Sequence, residues 1–465
     1  MTTTLLLIFI VGYLAIALEH PLKIDKTASA LILGMVLWIA YAFGAESIVP
    51  AVAGDKFTAY LAAHPALAGE SLGHQALSYI LDVDIIEHLG DITQTLFFLI
   101  GAMTIVELVD VHGGFRVITD RITTRDKRKL LWIICFTTFF MSAILDNLTT
   151  TIVMIMLLRK LVADKNDRWM YAGALVIAAN SGGAWSPIGD VTTIMLWVKG
   201  NVTAEALIGY VLIPSLVSMI LPIAIVSHQL KGELAPITVS ASSDTTITHR
   251  ERNTMFYLGV GGLIFVPVFK TITHLPPFVG MLLVLGILWA FTEIFYNKKM
   301  LDKAKEHRLP TVISRVDMPS ILFFLGILMA VAVLQATGIL SWLAEELDSS
   351  IHNVYLIDTI LGVLSSIVDN VPLVAGVMGM YPVADPGATG YAANFVVDGT
   401  FWELLSYCAG VGGSILIIGS AAGVIAMGLE KISFGWYLKK FSWLALLGYL
   451  GGVGVYLLEH IIMGR

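Results

Sequence analysis

Asp146-Asn147-Leu148-Thr149-Thr150-Thr151 stands in the middle of an apolar stretch, residues 130–160, and both flanks of that stretch are basic. Arg116, Arg121, Arg125, Lys127, Arg128 and Lys129 precede it, and Arg159, Lys160, Lys165 and Arg168 follow. Basic loops mark the cytoplasmic face of a membrane protein, so both ends belong on one side. An apolar segment that starts and ends on the same face must turn back inside the membrane. The polar hexapeptide supplies the break such a turn needs, and 130–160 reads as a re-entrant helical hairpin. Residues 352–382 give the mirror result. Glu345, Glu346 and Asp348 precede them, Asp385, Asp398 and Glu403 follow, and no Lys or Arg occurs between Arg315 and Lys431. That stretch breaks at Asp369-Asn370-Val371-Pro372 and reads as a hairpin entering from the external side.

The composition supports a membrane setting. Of 465 residues, 57% are hydrophobic and only 14% charged, against about a quarter charged in ordinary soluble domains. Taking roughly 20 apolar residues per crossing, about ten spans are expected, near 4–19, 28–48, 92–111, 170–198, 203–228, 253–271, 277–297, 319–340, 401–430 and 441–461. The first lacks the basic start of a secretory signal and reads as a short span. Loop charges place the acidic 46–91 loop outside. The basic 298–315 loop and Lys431, Lys439 and Lys440 lie inside, and both termini are expected outside. A formal charge of −7 suggests no nucleic-acid partner, and Cys135 and Cys408 are uninformative about redox compartment.

Three patterns recur in order along the chain. Leu96-Phe97-Phe98-Leu99 returns as Leu322-Phe323-Phe324-Leu325, and Asp146-Asn147 returns as Asp369-Asn370. Ala179-x-x-Gly182-Gly183-x4-Ile188-Gly189 returns as Ala409-x-x-Gly412-Gly413-x4-Ile418-Gly419. The offsets are 226, 223 and 230 residues. Five spans and a hairpin per half make an odd number of crossings, so the second half should sit upside down. The expected fold is therefore an all-α polytopic membrane protein of inverted structural repeats, an architecture common among secondary transporters. Residues 1–230 form the first repeat (hairpin 130–160, broken helix 170–198) and 253–465 the second (hairpin 352–382, broken helix 401–430). Residues 231–252 form a connecting cytoplasmic loop.

Polar groups at membrane depth are costly and usually face a cavity or a partner. Four segments carry them. The hairpin tips are Asp146-Asn147 with Thr149, and Ser365-Ser366 with Asp369-Asn370. The first broken helix reads Asn180-Ser181-Gly182-Gly183-Ala184-Trp185-Ser186-Pro187-Ile188-Gly189-Asp190, then Thr192 and Thr193. Glycines and a proline there should unwind the helix. The second runs from Gly410 to Gly419 with Ser414, then Ser420. Meeting near the midplane, these segments would offer carboxylate, amide, hydroxyl and backbone oxygens, the ligands hard cations prefer. Sodium or lithium fits, with Asp146, Asn147, Asp190, Asp369 and Asn370 as principal ligands. Protons should compete with the cation for Asp146, Asp190 and Asp369.

Plainer readings stand beside this one. Asp146 and Asp369 could simply cap the second hairpin helices, and the Gly-Gly pairs could be close-packing positions. Glu107 is either a further proton site or a residue near the cytoplasmic end of its span. His20, His88 and His112 read as surface histidines. No catalytic constellation or nucleotide motif is visible, so neither an enzyme nor an ATP-driven pump is expected, and no cofactor beyond the transported ions.

Asp146-Asn147-x-Thr-Thr-Thr, the Asn180–Thr193 stretch and Asp369-Asn370-x-Pro together resemble the NhaD-type sodium/proton antiporters of the ion transporter superfamily. That superfamily also holds arsenite, citrate and dicarboxylate carriers. The resemblance implies Na⁺(Li⁺)/H⁺ exchange in a bacterial-type inner membrane. It also implies a mobile transport domain and a scaffold domain that is often dimeric, and it marks Asp146, Asn147, Asn180, Asp190, Thr192, Thr193, Asp369 and Asn370 as functional positions. The main rival is an anion or carboxylate carrier. No Lys or Arg lies in any of the four polar segments, which disfavours an anion unless bound cations neutralise the site first. A channel fits less well, because broken helices and opposed hairpins suit alternating access better than a continuous pore.

Overall fold

The computed structural model describes residues 2–234, 248–297 and 309–463. Lys298, Lys299, Lys303, Lys305 and Arg308 of the basic 298–315 loop, and residues 235–247 of the 231–252 connection, lie outside the described residues. The chain runs through α1 (Thr2–Ala17), α2 (Lys26–Phe43) and the continuous α3 (Leu72–Val111). Then come α4 (Lys127–Leu145), α5 (Asn147–Leu161), α6 (Lys165–Ala184), α7 (Val191–Lys199) and α8 (Ala204–Gln229). They are followed by α9 (His249–Thr273), α10 (Pro277–Asn297), α11 (Met318–Ala336) and α12 (Ile339–Ile351). The last are α13 (Val354–Leu364), α14 (Asn370–Met380), α15 (Thr400–Gly412), α16 (Ala421–Glu430) and α17 (Ser442–Met463). Short helices fill several connections.

Eight of the described helices are long and apolar enough to cross a bilayer, which makes this a polytopic membrane protein. They are α2, α3, α4, α8, α9, α10, α11 and α17. The remaining expected spans differ for local reasons. Helix α1 has 16 residues and falls just short. The expected spans 170–198 and 401–430 are each split, into α6 and α7 and into α15 and α16. One expectation is corrected: 46–91 is not an open loop. It is largely helical, with helices at Ala45–Val52 and Gly54–Ala63 and the start of α3 from Leu72. Its acidic residues are used there, as Tyr41 donates to Asp84 at 2.7 Å and Tyr60 to Asp82 at 2.6 Å.

The described chain divides into two compact units. The first comprises Met1–Phe97, Asp317–Asn353 and Val374–Pro382. Within it α2 packs closely along α11, and a β-carbon on Gly34 would sit 2.5 Å from the Gly326 carbonyl oxygen. Only glycine permits that approach. Asp25 caps α2 through the Thr27 amide, and hydrogen bonding from the Thr27 side chain, then from its amide, holds the Asp25 carboxyl below the usual range.

The second unit comprises Phe98–Val316, Val354–Leu373 and Val383–Arg465, and it contains every candidate site residue. Its helices start on side-chain caps: Asp126 on α4, Asp164 on α6 and a Thr248/Glu251 capping box on α9. Helix α6 is buried on all faces from Tyr171 to Ala184, between α4, α5, α8 and α15. Two further expectations change here. Glu403, read as part of an external flank, is buried inside α15, where Tyr456 donates to it at 2.8 Å. His112, read as a surface histidine, is buried at the end of α3 with Nδ1 2.6 Å from the Leu108 carbonyl oxygen.

At the α16 end of this unit a buried carboxylate joins three helices. Glu430 receives Arg159 Nε and Arg168 Nε, each at 2.7 Å, and Arg159 also reaches the Leu429 carbonyl oxygen. The Glu430 side chain is 1% exposed, whereas the arginines are 41% and 21% exposed and can rehydrate. The consequences of substitution are therefore unequal. Replacing both arginines with alanine strands a buried charge and should cost about 3–5 kcal/mol. Glu430→Gln leaves two half-wet guanidiniums and should cost about 1 kcal/mol or less. Thermal unfolding of the three proteins in detergent should rank them in that order.

Candidate functional site

Four helix starts meet inside the second unit: those of α5, α7, α14 and α16. Each has a polar residue at its cap, namely Asp146, Asp190, Asp369 and Ser420. Asp190 is 2% exposed and forms the hub. Its Oδ1 accepts from the Thr192 amide at 3.0 Å and the Thr192 hydroxyl at 3.1 Å. Thr193 completes a capping box, its hydroxyl accepting from the Asp190 amide at 3.3 Å, and it also lies within donating distance of the Asp190 carbonyl at 2.9 Å. The second carboxylate oxygen accepts Asn147 Nδ2 at 2.5 Å and Asn370 Nδ2 at 3.3 Å. One carboxylate thus receives an amide from the first residue of α5 and one from the first residue of α14.

Asn180 extends the network. Its Oδ1 accepts from Asn147 at 3.2 Å, and its Nδ2 donates to Ser414 Oγ at 2.9 Å and to Ser420 Oγ at 2.8 Å. The structure therefore brings together Asn147, Asn180, Asp190, Thr192, Asn370 and Ser414. Other expected site residues bond elsewhere. Ser181 accepts from Ser218 on α8 at 2.8 Å, and Ser366 donates to the Val363 carbonyl of its own turn at 2.7 Å. Asp146 accepts from the Thr149 amide at 2.7 Å and the Thr149 hydroxyl at 3.0 Å, so the capping reading holds for it. Asp369 accepts the Val371 amide at 3.4 Å. Among the described residues no three His, Cys, Asp or Glu side chains form a metal-holding group.

The backbone at these breaks follows from the sequence. Pro187 cannot continue α6, and Trp185 to Gly189 cross to the start of α7. Gly182 lies against the Phe139 carbonyl so tightly that a β-carbon would collide with it. Gly412 bears the same relation to the Gly362 carbonyl. Ser142 donates to the Ala179 carbonyl at 2.6 Å, as Ser365 does to that of Ala409 at 2.8 Å. These pairs repeat at the offsets read from the sequence. Asp146 is the exception, with φ 76° and ψ 160°, a region that suits glycine almost alone. Replacing it separates strain from chemistry. Asp146→Gly should be more stable than Asp146→Ala by about 1 kcal/mol, because glycine relieves the strain. Thermal midpoints of the two variants check this.

Ser365 and Ser420 fall within the polar segments but are not expected as cation ligands, and Ser142 and Ser218 are not among the expected site residues. The repeat offered a signal for three of them. Ser-x-x-x-Asp-Asn occurs at both hairpin tips, and Ser420 occupies the position of Asp190 in the second half, with the same extended cap backbone (φ −146° in each). Nothing in the sequence marked Ser218.

A buried polar hub within a multi-spanning helical protein is an arrangement common among secondary transporters. The family described as citrate transporter (CitMHS) matches residues 6–397. The chain is 43% identical to sodium/proton antiporter 1 of Arabidopsis thaliana over 98% of its length and 72% of the relative's, and 41% identical to sodium/proton antiporter 2 over 98% and 99%. It is 28% identical to the Na⁺/H⁺ antiporter NhaD of Vibrio cholerae, over 97% of this chain and 91% of that one. The chain belongs to this citrate-transporter family of the ion transporter superfamily, and its likeness to NhaD-type antiporters extends over nearly its whole length.

Proposed function

We propose that this protein exchanges Na⁺, or Li⁺, for H⁺ by alternating access, with cation and proton competing for Asp190. The observation that carries the reading is the environment of that carboxylate. It is buried, it is approached by one amide from each hairpin tip, and its partners include no Lys or Arg. Helix ends do not supply the missing charge. Four helix starts, each worth about +0.5 charge, meet the ends of α4, α6, α13 and α15 at about −0.5 each, so the two sets cancel to first order. The aspartates set the net charge, and a monovalent cation or a proton balances Asp190. Asn147 and Asn370 donate their NH₂ groups to the carboxylate. Rotation of either amide presents its oxygen to a bound ion instead. Asp146 and Asp369 flank the hub and add negative potential.

Two inverted repeats, 1–230 and 253–465, are the arrangement we propose for the fold, with 130–160 and 352–382 as re-entrant hairpins. The paired contacts of Gly182 and Gly412, and of Ser142 and Ser365, support it. We place the protein in a bacterial-type inner membrane as a homodimer with both termini outside. Cys135 and Cys408 are buried, so a cysteine added after Met463 can be labelled selectively with a membrane-impermeant reagent. Labelling in intact cells is expected, and protection until lysis would reverse the topology.

The exchange itself is tested in liposomes loaded with a pH-sensitive dye and holding an inside-acid gradient. Na⁺ or Li⁺, but not K⁺ or choline, should alkalinise the lumen, and Asp146→Asn and Asp369→Asn should weaken the response. The family description favours one second reading, a carboxylate carrier with co-bound cations. Na⁺-dependent uptake of labelled citrate without cation-driven alkalinisation would establish that reading and overturn antiport.

A further inference from the structure

A second buried acidic group lies between α13, α15 and α17, and the exchange site does not use it. Asp358, on α13, is 0% exposed, and both of its carboxylate oxygens lack a hydrogen-bond partner. An ionised carboxylate in that position forgoes its hydration without compensation, at a cost of several kcal/mol. A neutral acid avoids most of that cost. The groups around it are proton carriers. Tyr449, Tyr456 and Cys408 all lie near enough to feel its charge, and Tyr449 donates to the adjacent Thr359 carbonyl at 2.8 Å. Tyr456 donates to Glu403, also 0% exposed, and His460 Nε2 lies 3.8 Å from the same Glu403 oxygen. Tyr355 stands 3.5 Å from His460 Nδ1, and the rings of Tyr456 and His460 are 4.7 Å apart. Glu459, half-buried beside His460, continues the series along α17.

We propose that Asp358 binds a proton as a neutral acid and that, with Glu403, Tyr456 and His460, it forms a second proton-binding cluster separate from Asp190. Its ligand is H⁺ alone, because the cluster offers two unpaired carboxylate oxygens but no ring of amide and hydroxyl oxygens for a metal cation. Other titratable side chains on the packed elements are Tyr407 on α15, Glu205, Tyr210 and His228 on α8, Tyr391 in the turn Gly390–Phe395, Lys199 at the end of α7, and Tyr437, Lys439 and Lys440 on the short helix Phe434–Lys440. Those of α6 (Lys165, Asp167, Arg168, Tyr171) lie in its first two turns, whereas its last residue, Ala184, meets α15 at Ser406. Within the antiport reading, this cluster would tune how exchange responds to pH. The proton-binding claim can be tested without transport.

Infrared difference spectroscopy of the full-length protein, purified in detergent without Na⁺ at pH 8, reads protonated carboxylic acids directly through their carbonyl stretch. A band is expected in the wild type, absent in Asp358→Asn and retained in Asp190→Asn. Asparagine is isosteric with the neutral acid, so Asp358→Asn should keep the wild-type thermal midpoint. A band unchanged in Asp358→Asn, or none in the wild type, overturns the proposal whether or not the protein exchanges cations. Should Asp358→Asn fail to fold, His460→Gln keeps the question open to decision. The pH profile of its exchange activity should shift, because the imidazole 3.8 Å from Glu403 is replaced by a neutral amide. A profile superimposable on the wild type would overturn the cluster.

Discussion

Asp190→Asn is expected to abolish cation-driven proton exchange while leaving the protein folded. The two halves of that result have separate causes. Asparagine is as good a helix cap as aspartate, so its side-chain oxygen can still accept the Thr192 amide that now lies 3.0 Å from Asp190. The amides of Asn147 and Asn370 lose one acceptor, but either can rotate toward the new carboxamide. Interhelical hydrogen bonds in membrane proteins average only about 0.6 kcal/mol, so the unfolding midpoint should move little. The charge has no substitute. At an effective dielectric of about 20, a unit charge 4 Å from a cation contributes about 4 kcal/mol. With tenfold in affinity per about 1.4 kcal/mol, cation binding should weaken by at least about a hundredfold. Isothermal titration with Na⁺ and the liposome assay, run beside a thermal melt, read the two halves separately. Retained exchange in a folded Asp190→Asn protein would move the site to Asp146 or Asp369.

The opposite pattern is expected for Gly412→Ala. A β-carbon there collides with the Gly362 carbonyl, and Gly362 is itself pressed against the Tyr449 hydroxyl and the Cys408 carbonyl. The contact is backbone on backbone, so no side chain can swing away to relieve it. Overpacking of this kind costs about 1–3 kcal/mol or more. The melt should fall by several degrees, with a smaller effect on exchange than at Gly182, because the nearest hub residue, Ser414, accepts from Asn180 and does not bond Asp190. Gly182→Ala meets the Phe139 carbonyl in the same way and should lose a similar amount of stability. It sits two residues from Asn180, so it should also depress exchange. A difference between the two variants in transport, but not in stability, separates the packing role of the Gly-Gly pairs from their position beside the site. Equal loss of transport would tie both breaks to the chemistry.

Much of this arrangement was legible because membrane depth makes polar residues conspicuous. Asp146, Asn180, Asp190 and Asp369 stand out against apolar neighbours, and Pro187 with the paired glycines marked both breaks. What stayed hidden was direction. Sequence spacing shows that Asn147 and Asn370 adjoin aspartates, but not that their amides converge on Asp190 while Asp146 turns back to cap its own helix. The 46–91 segment was misread because acidic residues in a helical cap look like those of an open loop. Glu403 was misread for a related reason, since its partners Tyr456 and His460 come from a helix 50 residues further on. Loop-charge rules weigh a carboxylate by its neighbours in sequence, and a buried carboxylate is neutralised by its neighbours in space.

Asp190 and Ser420 occupy matching caps with the same backbone, yet one carries a charge and the other a hydroxyl. Under the proposed inverted repeat, the two halves share the shape of the pocket but not its carboxylate. In an inverted duplication, an ion bound at Asp190 sits off the pseudo-symmetry axis, nearer the first half. Its escape routes to the two faces of the membrane are then unequal in length and in barrier. That inequality cannot change the point at which exchange stops, because the two gradients alone fix it. In the proposed exchanger it would make the forward and reverse rates respond differently to the same ion concentration, leaving the protein kinetically one-sided even where it is thermodynamically reversible. Ser420→Asp would restore the symmetry and double the charge, and the one-sidedness should fade with it.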